Sequence, residues 1–160
     1  MIQKIFLSLL VSVCFFCVSA QPAKKPKPSV ITQVAKFKPP VVKTFLGRNT
    51  NEASVTVEEA NQLVTLPLRV TDDKNVTYTI SSYQFMYRKK SVIENEQTGK
   101  KEIAYSSVSD LFKTTPLPKV WKDNISGGIQ KNEELFFFDI VVTDKLSRKF
   151  FAPNIKILVK

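Results

Sequence analysis

The chain has 160 residues, 43% of them apolar, which suits one globular domain with short extensions and excludes disorder throughout. It has no histidine, and its two cysteines, Cys14 and Cys17, sit near the N-terminus, a composition that weighs against zinc centres and most hydrolase chemistry. Of the formal net charge of +10, seven positive charges lie at Lys4 and at six lysines between residues 21 and 43; this leaves +3 for residues 44–160 and argues against a nucleic-acid-binding face.

Residues 1–20 read as a signal peptide. Lys4 precedes an apolar run from Ile5 to Val18, and Val18-Ser19-Ala20 supplies the small residues of a cleavage site, so cleavage is predicted after Ala20. The run is shorter than the roughly 20 residues a membrane-spanning helix needs. Export to the periplasm or beyond the cell is therefore expected, and both cysteines leave with the segment, so stability must come from core burial. Residues 21–43 hold five of the nine prolines and six lysines without an acid, the composition of an extended tether reaching about 70 Å at most. Weak electrostatic contact of this tether with an anionic membrane or cell-wall polymer is expected.

From there to Lys160 the pattern is one of short strands. Branched and aromatic residues between Val41 and Leu46 predict a strand that turns at Gly47 to Asn51. Thr56-Val57-Glu58-Glu59 has capping-box spacing and predicts one helical turn. A strand is predicted over Leu63–Thr71, with Pro67 marking an edge or bulge. In Asn75–Lys90 the large side chains occupy even positions (Val76, Tyr78, Ile80) and then odd ones (Tyr83, Phe85, Tyr87). Strand side chains alternate with period two, so an extra residue is expected near Ser81-Ser82. The next segment, to Ser107, reads as a peripheral polar hairpin turning at Gln97-Thr98-Gly99-Lys100, with Val92, Ile93, Ile103 and Tyr105 as its apolar anchors.

Thr115-Pro116 predicts a helix start, with Leu117, Val120 and Trp121 on one apolar face and Gly127-Gly128 as its end. Leu135–Val142 reads as a strand, and Arg148–Val159 as the closing strand after a turn over Asp144–Ser147. The whole predicts a mainly β fold, an antiparallel immunoglobulin-like sandwich with one or two short helices. In it Phe137 and Val141 would face the opposing sheet, and Phe136, Phe138, Ile140 and Val142 would form a second apolar face that a helix, the hairpin or a partner must cover.

From about Pro39 onward the order of landmarks resembles one family. These are "PPVVKTFLGR", "VTVEEANQL", "VTYTISSYQFMY", "PLPKVWKDN", "GGIQKNEELFFFDIVV" and "DKLSRKFFAPNIKILVK". The order is similar to that of the last periplasmic domain of GldM, the gliding-motility and type IX secretion shaft protein of Bacteroidetes. The resemblance implies an immunoglobulin-like domain, 44–160, that binds protein partners of the cell envelope, an outer-membrane-ring component of the secretion machinery among them. The Glu94–Glu102 hairpin looks inserted, and "TDKLSRKFF" stands where a glycine-containing turn is expected.

No catalytic, cofactor-binding or metal-binding residues are assigned, and the protein is read as non-enzymatic. Asp72-Asp73 reads as turn chemistry. The candidate partner-binding residues are Arg148, Lys149, Phe150 and Phe151, which have the make-up of an aromatic anchor with a basic rim, together with Phe136 and Phe138. A homo-oligomer is also open. The alternative is a carbohydrate- or cell-wall-binding adhesin that stacks sugars on Tyr83, Tyr87, Tyr105 or Trp121.

Overall fold

The computed structural model describes residues 36–160. The predicted signal segment with its cleavage at Ala20, and the tether as far as residue 35, lie outside the described residues. The folded body reaches back past the boundary expected at Thr44. Phe37 packs against the core, and β1 (Val42–Leu46) already buries Val42.

Strand β1 alternates buried Val42, Thr44 and Leu46 with Lys43 and Phe45, as a strand with one wet face should. Gly47 turns it into β2 (Asn49–Thr50); its φ is +62°, and a Cβ there would come within 2.9 Å of Leu63 Cδ2. After β3 (Glu52–Val55), the Thr56 hydroxyl caps α1 (Val57–Leu63) by accepting the Glu59 N–H at 3.2 Å. The helix outruns the single turn expected, because Ala60, Leu63 and Val64 recur at helical spacing and are all buried. The strand expected from Leu63 therefore shrinks to β4 (Leu68–Asp72), with Pro67 ahead of it.

The axis of the fold is β5 (Thr77–Glu94). It pairs antiparallel with β4 at its start, with β7 (Glu134–Thr143) from Thr79 to Arg88, and with β6 (Lys101–Phe112) from Tyr83 to Glu94. The other side of β7 carries β9 (Ile155–Val159) along Glu134–Phe137 and β8 (Lys149–Ala152) along Ile140–Thr143. The single closing strand expected over Arg148–Val159 is thus two, divided at Pro153-Asn154. The mainly β class with two short helices is as read, but the expected all-antiparallel arrangement is not, because β3 runs parallel to β9. Those strands are far apart in sequence, so no hairpin dictates their relative sense. The Thr44 hydroxyl donates to Pro153 O at 2.6 Å and ties β1 to the β8–β9 connection.

Two irregularities in the β5–β7 ladder decide which side chains enter the core. Ile80 pairs with Val142 and Ser82 with Val141, which makes Ser81 an extra residue on β5, where the bulge is expected. Gln84 pairs with Phe138, so β7 also carries an extra residue, at a point where Asp139 has φ +49°. This second bulge overturns the expected faces. Ile140 and Val142 join Leu135 and Phe137 in the core, and Val141 turns away from it.

The predicted helix starts later than Thr115, as α2 (Lys119–Ser126). The Thr115 hydroxyl accepts the Leu68 N–H at 2.8 Å and so caps a strand instead of a helix. The later start rotates the apolar face: Trp121 and Ile125 point inward, while Val120 is 68% exposed. Trp121 meets Phe85 and Phe112 edge-on, each at 5.5 Å between centroids, and Phe85 lies 4.7 Å from Phe137. Phe85→Ala, which removes the ring shared by these contacts, is expected to cost about 3–5 kcal/mol in urea unfolding. The exposed Val120→Ala should stay within about 0.5 kcal/mol.

Candidate protein-binding surface

The turn before β8 is built on Asp144. Its carboxylate accepts the N–H groups of Leu146 at 2.8 Å and Arg148 at 2.9 Å, and the Arg148 guanidinium at 2.7 Å. Burial works against the Asp144 charge, but these donors outweigh it and hold the carboxyl below its usual range. Ser147 takes the left-handed position, φ +60°, that glycine ordinarily fills. The Arg148 guanidinium also lies 4.1 Å above the Phe37 ring, so it is already engaged within the fold.

The candidate cluster divides at this turn. Phe150 is buried, 5.4 Å from Tyr78 and 6.2 Å from Phe37, so it belongs to the core and not to a partner surface. Strand alternation sends its neighbours the other way: Lys149 is exposed and Phe151 is 72% exposed. Phe151 pairs with Val141, whose side chain also faces away from the core.

Phe136 and Phe138 project on this same outer side. Two residues apart on β7, they stack with centroids 4.9 Å apart and planes 11° from parallel, half-buried against the sheet. Met86 sits opposite Phe136 and Gln84 opposite Phe138, and Gln84 Nε2 donates to Asp139 Oδ2 at 2.9 Å. Charges rim the patch: Glu134 holds Arg88 at 3.0 Å and Lys156 at 3.3 Å. Of the six residues expected at the site, the structure thus brings Lys149, Phe151, Phe136 and Phe138 to one side of the sheet and buries Phe150, while Arg148 stays exposed but is engaged by Asp144 and Phe37.

The aromatic residues of the carbohydrate alternative do not assemble. Tyr83 and Tyr87 are buried, with their hydroxyls on Thr114 O and Glu133, and the Arg88 guanidinium lies 4.2 Å over Tyr105. Asp72, read as turn chemistry, accepts the N–H groups of Lys74 and Val76 and the Tyr78 hydroxyl. Among the described residues no three acidic or cysteine side chains converge to hold a metal.

One structural residue is new. Glu133 is fully buried, and its carboxylate accepts the Tyr87 hydroxyl, the Gln130 N–H at 2.9 Å and the Lys90 N–H at 2.9 Å. It shares odd parity with inward-facing Leu135 and Phe137, the signal by which the sequence could have disclosed it. This pin fixes the point where the β5–β6 hairpin leaves the body, beside an apolar pocket of about 310 Å³ lined by Tyr87, Val108, Trp121, Asn124 and Ile125. Compared with protein-family models and with curated proteins, the chain matches none.

Glu133→Ala would leave the buried Tyr87 hydroxyl unpaired, at about 1–3 kcal/mol, together with two part-buried N–H groups, and is expected to be among the more destabilising single changes in a urea titration. Burial pushes the Tyr83 phenol up to about 12 and raises Tyr87 further, helped there by the hydrogen bond and charge of Glu133. Both phenols are kept neutral by the fold. Stability is therefore full below the ordinary phenol value of about 10 and falls as pH rises from there through the folded values. In a spectrophotometric pH titration the phenolate absorbance of these two tyrosines should appear only well above the ordinary phenol value.

Proposed function

We propose that the protein is a non-enzymatic, exported protein-binding module of the bacterial cell envelope, folded as an immunoglobulin-like domain. The observation that carries the binding role is Phe151, a large aromatic side chain left 72% exposed next to Lys149 and on the side of the sheet that bears the Phe136–Phe138 stack. Burying one such ring in a partner contributes about 2–3 kcal/mol, and aromatic anchors with a polar rim are what protein interfaces concentrate. The envelope setting, and an outer-membrane-ring component of the gliding or type IX secretion machinery as the partner, rest on the sequence resemblance to the last GldM domain. The six lysines between residues 21 and 43 add a weak attraction to anionic surfaces.

Affinity purification from the native envelope should recover secretion or gliding components. Phe151→Asp should lower that recovery about tenfold or more, with Lys149→Glu giving a smaller loss. Val120→Asp serves as the control, since Val120 is equally exposed on α2. Recovery of glycans alone, or equal losses from Phe151→Asp and Val120→Asp, would sink the proposal.

A further inference from the structure

Strand β6 pairs with β5 on one edge, and among the described residues nothing pairs with the other. Three hydrogen bonds show which of its backbone groups face outward. Lys90, opposite Tyr105, sends its N–H away from β6 to Glu133; Ala104 turns its carbonyl toward Ser91 of β5; and the Leu111 N–H, with no β5 partner, is held by the Asp110 carboxylate at 2.8 Å. Antiparallel strands direct both polar groups of alternate residues to the same neighbour. Ile103, Tyr105, Ser107, Ser109 and Leu111 therefore present N–H and C=O groups to the open edge.

The composition of this edge is unusual. Natural edge strands are protected by charge, proline, bulges or shortness. Here the strand runs for 12 residues, and Ile103–Ser109 carries no charge, proline or glycine. Ile103 is 61% exposed and Leu111 56% exposed, both on the side away from the core.

We propose that this edge is where two copies of the chain associate, β6 against β6, antiparallel about a two-fold axis at Ser107. A two-fold axis perpendicular to the sheet must pass through a residue that faces itself, which limits the registers. With the axis at Ser107, Ile103 of each copy lies beside Leu111 of the other, Tyr105 beside Ser109 and Ser106 beside Val108. Four exposed apolar side chains are covered as two cross-strand pairs. Moving the axis to Ser106 also uses most of the strand, but it sets Glu102 against Asp110 twice, a like-charge clash. At Ser107 the like-charged Lys101 and Lys113 meet only where β6 has ended, at Phe112. Asp110 occupies the Leu111 N–H in the single chain and yields it to the Ile103 carbonyl of the second copy. The outer-face aromatics take no part, so loss of an envelope partner and loss of self-association are separable.

A charge swap tests both the edge and the register. The full chain, produced with its own N-terminus in an exporting host, is examined by sedimentation equilibrium over a wide concentration range. The wild-type chain should show a monomer–dimer equilibrium. Ile103→Lys with Leu111→Lys puts two lysines together on each side of the axis and should weaken dimerisation by about tenfold or more, the effect of 1.4 kcal/mol. Ile103→Lys with Leu111→Glu puts opposite charges together across the axis and should restore it. Within one chain the two positions stand eight residues apart on one strand, about 26 Å, so neither pair can interact internally. A wild-type chain monomeric at all concentrations, or two double variants that behave alike, would overturn the proposal.

Discussion

Everything in this domain depends on the register between β5 and β7. Each strand carries one extra residue, Ser81 on β5 and the bulge at Asp139 on β7, so the pairing offset between Ile80 and Val142 is the same as that between Gln84 and Phe138. A lone extra residue would have shifted one strand against the other and reversed one set of side chains. Because the two irregularities cancel, both strands change parity together. Tyr78, Ile80, Ile140 and Val142 serve the core on one side of the bulges, and Tyr83, Phe85, Tyr87, Leu135 and Phe137 serve it on the other. The Ser81 and Thr143 hydroxyls meet at 2.5 Å beside this step and satisfy each other.

The same parity change creates the outer face. With Phe137 committed to the core, its neighbours Phe136 and Phe138 must leave it, and they recover part of the cost by stacking on each other over Met86. Phe150 and Phe151 repeat the division on β8, one ring inside and one outside. Charge is spent differently at the two ends of the surface. Arg148 is absorbed by Asp144 and Phe37, whereas Lys149 remains available to solvent. Paired phenylalanines with opposite fates are thus a local signature of a strand with apolar demands on both sides.

Strands β1, β5 and β7, the Thr56 cap and the Ser81 bulge were legible because each rests on local chemistry: runs of branched and aromatic residues, a hydroxyl three residues before a glutamate, and a switch of parity; the short β2 and β3 carry no such pattern. The bulge at Asp139 was not, since Leu135–Val142 is apolar on both parities apart from Asp139 itself and shows no break in alternation. Missing it misassigned Ile140, Val141 and Val142. The start of α2 was misread because Thr115 has the chemistry of a helix cap, while a tertiary demand, the unpaired Leu68 N–H, claimed its hydroxyl. The candidate site was half legible. Adjacent aromatic and basic residues marked the segment, but whether Arg148 was free depended on Phe37, far away in sequence. The parallel β3–β9 pair likewise joins segments that no local pattern connects.

The β5–β6 hairpin continues past Lys90, whose N–H is held by Glu133, for about 13 Å supported by its own ladder alone. At its tip Asn95 organises the turn by accepting the N–H groups of Gln97 and Thr98, and Gly99 has no neighbouring atom within 4 Å of where a side chain would begin. A fluorophore or short epitope attached at Gln97 would therefore stand clear of both the aromatic interior and the outer face, and could report where the molecule sits in a living cell without altering what it touches.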